Sequence, residues 1–280
     1  MLSLLKNFGL NAPKEKFDEV FEYLTQYYPR GEDPWGLNVK KARKSLEVIW
    51  PLYHNYFKVR VFGKENVQDQ PYMVVPNHTG QIAIDGMLVS TAFALDVQPP
   101  RILRGMVERF FTTLPFIGMW AAEGGAVLGD RQNCHQLLKR GQSILAFPEG
   151  VRGVAKSTSD FYQTQSFTKG FFRLSAEAGV DVLPVAVVGA EEFYPYVYQA
   201  KTLANFFNLP ALPLSLNYLP LPSPVDIYIG KPYKIASGIG ADSPDDIINR
   251  EVKNIESIIQ EMINEGLANR RHFFANKEFE

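Results

Sequence analysis

The sequence predicts an α/β fold: a mostly parallel central sheet flanked by helices, with a helical segment at the N-terminus. Three observations predict it. Residues 14–57 carry apolar side chains at helical spacing. Beyond residue 57 the period changes, and short β-rich segments alternate with helix-like ones. Those short segments are largely apolar rather than alternating, as expected for strands covered on both faces.

The elements follow in order. Residues 14–29 and 37–57 read as helices, separated by the breaker run Pro29-Arg30-Gly31-Glu32-Asp33-Pro34-Trp35-Gly36. In the second, Leu46, Ile49, Tyr53 and Tyr56–Phe57 recur behind a basic opening of Lys40, Lys41, Arg43 and Lys44, and Pro51 is expected to bend or split it. Val59, Val61 and Val67 suggest a short alternating strand, and Tyr72–Val75 an apolar strand that stops at Pro76. Further strands are expected at Ile102–Met106, Ala126–Leu128, Ser143–Phe147, Val182–Val188 and Val225–Ile229, with helices at 84–95, 131–140 and 168–178 between them. The last helix opens on Ser243-Pro244-Asp245-Asp246, which offers a cap with proline at the first helical position. Its stripe of Ile247, Ile248, Val252, Ile255, Ile259, Met262 and Ile263 is a packing face. The expected division is a helical, membrane-contacting segment over 1–57 and an α/β domain over 58–280.

Composition narrows the function. At 46% hydrophobic and 21% charged residues, the 280-residue chain has the balance of a globular protein with a substantial core. A formal net charge of −1 provides no basic field to recruit nucleic acid or anionic lipid, so nucleic acid is not an expected partner. The single cysteine, Cys134, excludes an internal disulfide and fits a reducing compartment. The opening MLSLLKNFGLNAPKEK has too short an apolar run for a secretory signal, and no segment of the sequence reads as a membrane span.

Three expected strand exits carry chemistry, and in such sheets functional groups gather beyond the strand carboxyl ends. In Val75-Pro76-Asn77-His78-Thr79-Gly80, followed by Asp85, a histidine leaves a buried strand with an acid seven residues on. This suits a base near neutral pKa and a carboxylate that orients it. Seven residues of helix would separate the two by about 10.5 Å, so His78 must lie in the loop with Asp85 pointing back from the next helix. A capping histidine with an aspartate suited to the helix dipole is the alternative. In Phe147-Pro148-Glu149-Gly150-Val151-Arg152-Gly153, a tight turn would expose backbone N–H groups beside Arg152, an anion cradle or an ordinary turn. The stretch Gly124–Arg131 either brings Arg131 to the same edge or is a plain glycine-rich approach to a strand. Nucleophile-elbow, P-loop and dinucleotide fingerprints are absent, and His54, His135 and His272 lack metal-ligand spacing.

Together these segments resemble the motifs of the glycerolipid acyltransferase superfamily that includes bacterial 1-acylglycerol-3-phosphate acyltransferases. Asn77-His78 with Asp85 looks like its first motif, and Gly125 to Arg131 is similar to its second, G-x-[IF]-[FIL]-[IV]-x-R. Phe147 to Arg152 resembles its third, F-P-E-G-T-R, and Val182 to Val188 its fourth. The match runs through most of residues 33–231. It is nearest to a subgroup with N-H-S-G-x-x-P-x-D-G as first motif, a lysine after the third, here Lys156, and a later V-G-A-E-E, here Val188 to Glu192. Departures are a His–Asp gap two residues longer than in the main family, and Gly129 where a large β-branched residue is usual.

The resemblance implies transfer of a fatty acyl group from acyl-CoA or an acyl carrier protein to a glycerolipid hydroxyl, lysophosphatidate or a related lipid. His78 would be the base and Asp85 its partner. Arg152, with Lys156 and Arg131, would hold a phosphate, and Glu149 and Gly150 would complete the binding site. No metal or organic cofactor is implied, and the expected location is a peripheral one on the cytoplasmic side of a membrane. Two apolar stretches are candidates for lipid contact: Leu2, Leu4, Leu5, Phe8 and Leu10, and the proline-broken Leu203–Leu221 with Phe206, Phe207 and Leu209. Other classes left open are a hydrolase using the same pair with water, a thioesterase or lysophospholipase, and a non-catalytic lipid-binding protein.

Overall fold

The computed structural model describes residues 12–79, 84–109, 117–199, 213–215, 217, 219–272 and 274–276. Its strands are β1 (Arg60–Phe62), β2 (Tyr72–Pro76), β3 (Arg104–Val107), β4 (Val127–Leu128), β5 (Ile144–Leu145), β6 (Asp181–Val188), β7 (Val197–Gln199), β8 (Pro213–Ser215), β9 (Asp226–Ile229), β10 (Arg270–His272) and β11 (Ala275–Asn276). The helices are α1 (Lys14–Tyr27), α2 (Val39–Pro51), α3 (Ile84–Leu95), α4 (Ile117–Glu123), α5 (Arg131–Lys139), α6 (Val151–Val154), α7 (Gly170–Ala178) and α8 (Asp245–Ala268). Seven strands form one mixed sheet in the order β1-β9-β6-β2-β5-β3-β4. From β6 to β4 neighbouring strands are parallel; β9 joins β6 antiparallel, and β1 lies parallel to β9.

Both faces of the sheet are covered. Tyr72, Val74, Leu183, Val185 and Val187 meet α1, α2 and α3 on one side. Met73, Val75, Val182, Ala186 and Val188 meet α5, α7 and α8 on the other. This is why β2 and β6 read as continuous apolar runs. The α8 stripe buries Ile248, Val252, Ile255, Ile259 and Ile263, each worth about 1.5–3 kcal/mol as an upper bound. The chain leaves β2 through α3 over one face and β5 through α7 over the other. A sheet whose crossovers part in this way opens a crevice at the strands' carboxyl ends.

Local signals explain some of the boundaries. Asn38 caps α2 by accepting from Lys41 N–H at 3.0 Å, and α2 stops at Pro51, where a π-helical turn over Leu52–Tyr56 takes over. Asp130 caps α5 by accepting from the N–H groups of Gln132 and Asn133.

Some expectations shift. Pro244 is the residue before α8, in extended conformation, rather than its first helical residue. The Ser243 hydroxyl does not cap the helix, because it accepts from Gly240 N–H at 2.9 Å within the preceding turn. Val67 lies beyond β1, separated from it by Gly63, at φ +74°, and a 3-10 turn over Lys64–Asn66. Within the proline-rich stretch, β8 pairs with β7 as a two-stranded ladder, and β10–β11 form a second pair near the C-terminus. Residues 1–11, with Leu2 to Leu10, and residues 200–212, with Phe206, Phe207 and Leu209, lie outside the described residues.

Candidate active site

Three adjacent strands deliver the site. β6, β2 and β5 lie side by side and parallel, so their carboxyl ends open on one edge of the sheet. From β2 comes His78, from β5 comes Glu149, and from β6 the 3-10 turn Ala190–Phe193 carrying Glu191 and Glu192. Asn77 secures the exit of β2. Its side-chain amide donates to Val187 O at 3.1 Å and accepts from Val187 N–H at 2.7 Å, extending the ladder past Pro76.

The structure brings His78 and Asp85 together. Imidazole Nδ1 stands 2.7 Å from Asp85 Oδ2, with the ring almost buried and the carboxylate fully so. Asp85 sits in the first turn of α3, and the same oxygen accepts from Thr79 N–H at 2.7 Å while Oδ1 accepts from Gly86 N–H at 2.7 Å. A carboxylate so supplied with donors is held in one orientation. With Nδ1 engaged, Nε2 is the ring nitrogen left for a substrate proton. The ring also stacks on Phe147, centroids 4.1 Å apart. Gly80, on the expected turn between His78 and Asp85, lies outside the described residues.

Glu149 and Lys156 lie beneath the histidine, both buried. Glu149 Oε1 accepts from His78 N–H at 2.8 Å, and Oε2 accepts from Gln165 N–H at 2.9 Å and pairs with Lys156 Nζ at 3.2 Å. Lys156 Nζ also donates to His78 O at 3.1 Å and to Glu191 Oε1 at 3.1 Å. An ammonium has three donors, and these partners use them all. Burial pushes the lysine's pKa down, but Glu191 and Glu149 raise it further, and the net shift is upward. Burial pushes Glu191 up to about 7 against the pull of Lys156. Glu191 and Glu192 were not singled out as site residues by sequence reasoning; their only signal was the V-G-A-E-E resemblance.

The two arginines lie differently. Gly150, at φ +56°, makes the turn into α6, and Arg152 follows, exposed, with one guanidinium N–H donating to Ser166 O at 2.6 Å. Arg131, at the start of α5, is exposed and ion-paired at 2.9 Å with Glu177 on α7; among the described contacts none joins it to the His78 cluster. Farther along the same edge a cavity of about 210 Å³ opens beyond β3 and β4, lined by Trp35, Val107, Gly118, Ala121, Leu128 and Asn133 among others. Among the described residues no helix is long and apolar enough to cross a membrane, and no cluster of His, Cys, Asp or Glu has metal-binding geometry.

A family model described as Acyltransferase matches residues 58–188. An uncharacterized protein of Mycobacterium tuberculosis is 31% identical over 242 residues, covering 81% of this chain and 68% of the relative. A 1-acyl-sn-glycerol-3-phosphate acyltransferase of Chlamydomonas reinhardtii is 28% identical over 152 residues, covering 50% of this chain and 41% of that protein. The crystal structure of the 1-acyl-sn-glycerophosphate acyltransferase PlsC from Thermotoga maritima superposes with a TM-score of 0.52 at 19% identity, over 81% of this chain and 77% of that one. That likeness extends to the fold: a mixed, mostly parallel sheet between helices.

Proposed function

The chain belongs to the acyltransferase family, and on that premise we propose that it moves a fatty acyl group from a thioester donor, acyl-CoA or an acyl carrier protein, to a glycerolipid hydroxyl. The observation that carries the reading is the His78–Asp85 pair at 2.7 Å on the carboxyl edge of the sheet. A base held in one tautomer beside a buried carboxylate is what alcohol attack on a thioester requires, whereas lipid binding alone has no need of one. His78 Nε2 takes the proton as the acceptor oxygen forms its bond to the acyl carbon. The C–S bond then breaks, and the imidazolium returns the proton to the departing thiolate. Asp85 stabilises the imidazolium in between.

Arg152, exposed and with a single described hydrogen bond, is suited to hold a phosphate. The acceptor is in our reading lysophosphatidate or a chemically related glycerolipid, the class named for the algal relative. The cavity beyond β3 and β4, apolar over most of its lining, would take part of the acyl chain. No metal or organic cofactor is called for by this chemistry. The enzyme would work from the surface of a membrane on its cytoplasmic side. Val48, Leu52 and Tyr56, exposed at four-residue intervals along α2 and the following turn, are apolar surface of the kind that lies in an interface.

The test is a panel of lysophosphatidate, monoacylglycerol, diacylglycerol and lysophospholipid acceptors with one labelled acyl-CoA, run with wild type and His78→Ala. We expect acyl transfer to at least one acceptor, lost in the variant. Acyl release without any acceptor would identify a hydrolase, and full transfer by folded His78→Ala would overturn the reading.

A further inference from the structure

We infer that Lys156 and Glu191 are positioning residues for His78, forming a buried clamp that fixes the histidine's backbone so that its ring stays aligned with Asp85. The inference deepens the reading of His78 as the base and rests on it.

Both backbone polar groups of His78 end on side chains of this clamp. Its N–H donates to Glu149 at 2.8 Å, and its C=O accepts from Lys156 at 3.1 Å. Glu149 and Lys156 are themselves paired at 3.2 Å, closing a ring around one residue. Lys156 then reaches across to Glu191, so the exits of three neighbouring strands are tied through one ammonium group. Glu191 is anchored in turn. Its other oxygen accepts from the backbone N–H of Tyr162, a residue held at positive φ, and the Tyr162 hydroxyl donates to Glu192. Left-handed backbone at a non-glycine residue persists only where its surroundings over-determine it.

Burial separates this role from substrate binding. The Lys156 side chain is 3% exposed and its three donors are satisfied within the protein. It has nothing left to offer a phosphate, whereas Arg152 is exposed. Nor is stability a sufficient reason for the cluster, since buried ion pairs are generally no more stabilising than well-packed apolar residues. What the ions achieve is direction: a loop residue gains fixed partners for both its backbone groups, and its imidazole is held where Asp85 meets it. A displacement of about 1 Å in a catalytic group can lower the rate about 10²-fold.

The test uses the full chain as wild type, Lys156→Met, Glu191→Gln and His78→Ala. Steady-state kinetics with palmitoyl-CoA and either lysophosphatidate or monoacylglycerol are combined with NMR of ¹⁵N-histidine-labelled protein, in which His78→Ala identifies the His78 ring signals. Folded Lys156→Met is expected to lose about 10²-fold in kcat with both acceptors at unchanged KM, and Glu191→Gln on the order of tenfold. In both variants the His78 Nδ1–H resonance should move. An acceptor KM raised for lysophosphatidate alone would overturn the inference by making Lys156 a phosphate ligand. Unchanged kcat with an unmoved resonance would overturn it by making the cluster merely structural. Should Lys156→Met fail to fold, the nearly isosteric Glu191→Gln decides by the same two readouts. Activity retained in His78→Ala would defeat the base assignment instead, leaving the resonance to judge the clamp.

Discussion

Gly153 lies so close to His78 that a methyl group on its α-carbon would stand 2.5 Å from His78 Cβ and 2.9 Å from Glu149 Cβ. The glycine is there for space, because its backbone is not in the left-handed region. It lets α6 press against the histidine and the acid that holds it. Gly153→Ala is therefore expected to push His78 away from Asp85. Overpacking of this kind costs about 1–3 kcal/mol of stability, and the displaced ring should lower kcat about 10²-fold. Chemical denaturation and steady-state assays measure the two, and a folded variant with wild-type kcat would show that the contact relaxes without moving the ring.

Asp85→Asn should leave the fold intact and lower kcat by about 10³–10⁴, because the amide no longer fixes the proton on Nδ1 or stabilises the imidazolium. The two residues act as a unit, so the double variant with His78→Ala should be scarcely slower than His78→Ala alone. Losses that multiply in a double-mutant cycle would mean that Asp85 serves another step.

Much of the fold was legible because its central strands are apolar on both faces and its helices carry striped ones. β2, β6 and α8 announce themselves in that way. β7, β8, β10 and β11 do not, being two or three residues long and set among prolines or charges. The reach of Asp85 back to His78 follows from helix geometry, which forbids the pair to share a helix. The setting of Lys156 was hidden. A lysine after a glycine turn reads as a surface cation, and only the adjacency of β6, β2 and β5, fixed by long-range pairing, buries it between Glu149 and Glu191. Arg131 was hidden in the same way, since its ion pair with Glu177 depends on how α5 meets α7.

The exposed Arg152 separates acceptors by charge. Arg152→Ala is expected to raise KM for lysophosphatidate at least tenfold, roughly the value of a charge-assisted contact of about 1.5–3 kcal/mol, and to leave monoacylglycerol nearly unaffected. Equal effects on both lipids would mean that the arginine binds the donor's phosphates or serves the loop that holds Ser166.

Glu191 makes stability depend on pH in a stated direction. Burial raises its pKa from 4.5 to about 7, Lys156 and the Tyr162 N–H pull it back, and Glu149 adds to the rise. Among the described residues, Lys156, Glu149 and the neighbouring Glu192–Tyr162 pair, with Arg270 held against Glu192, are charged or titratable groups around it. Between those two pKa values the native state keeps a proton that the unfolded chain has released, so the contribution is complete below the unfolded pKa and is lost as pH rises through the folded one. Glu191→Gln removes that proton from the balance. Denaturant midpoints measured from about pH 4.5 to 7 should therefore fall more steeply with rising pH in wild type than in Glu191→Gln. Parallel curves would show that Glu191 stays ionised across the window, with Lys156 holding its pKa near the ordinary value.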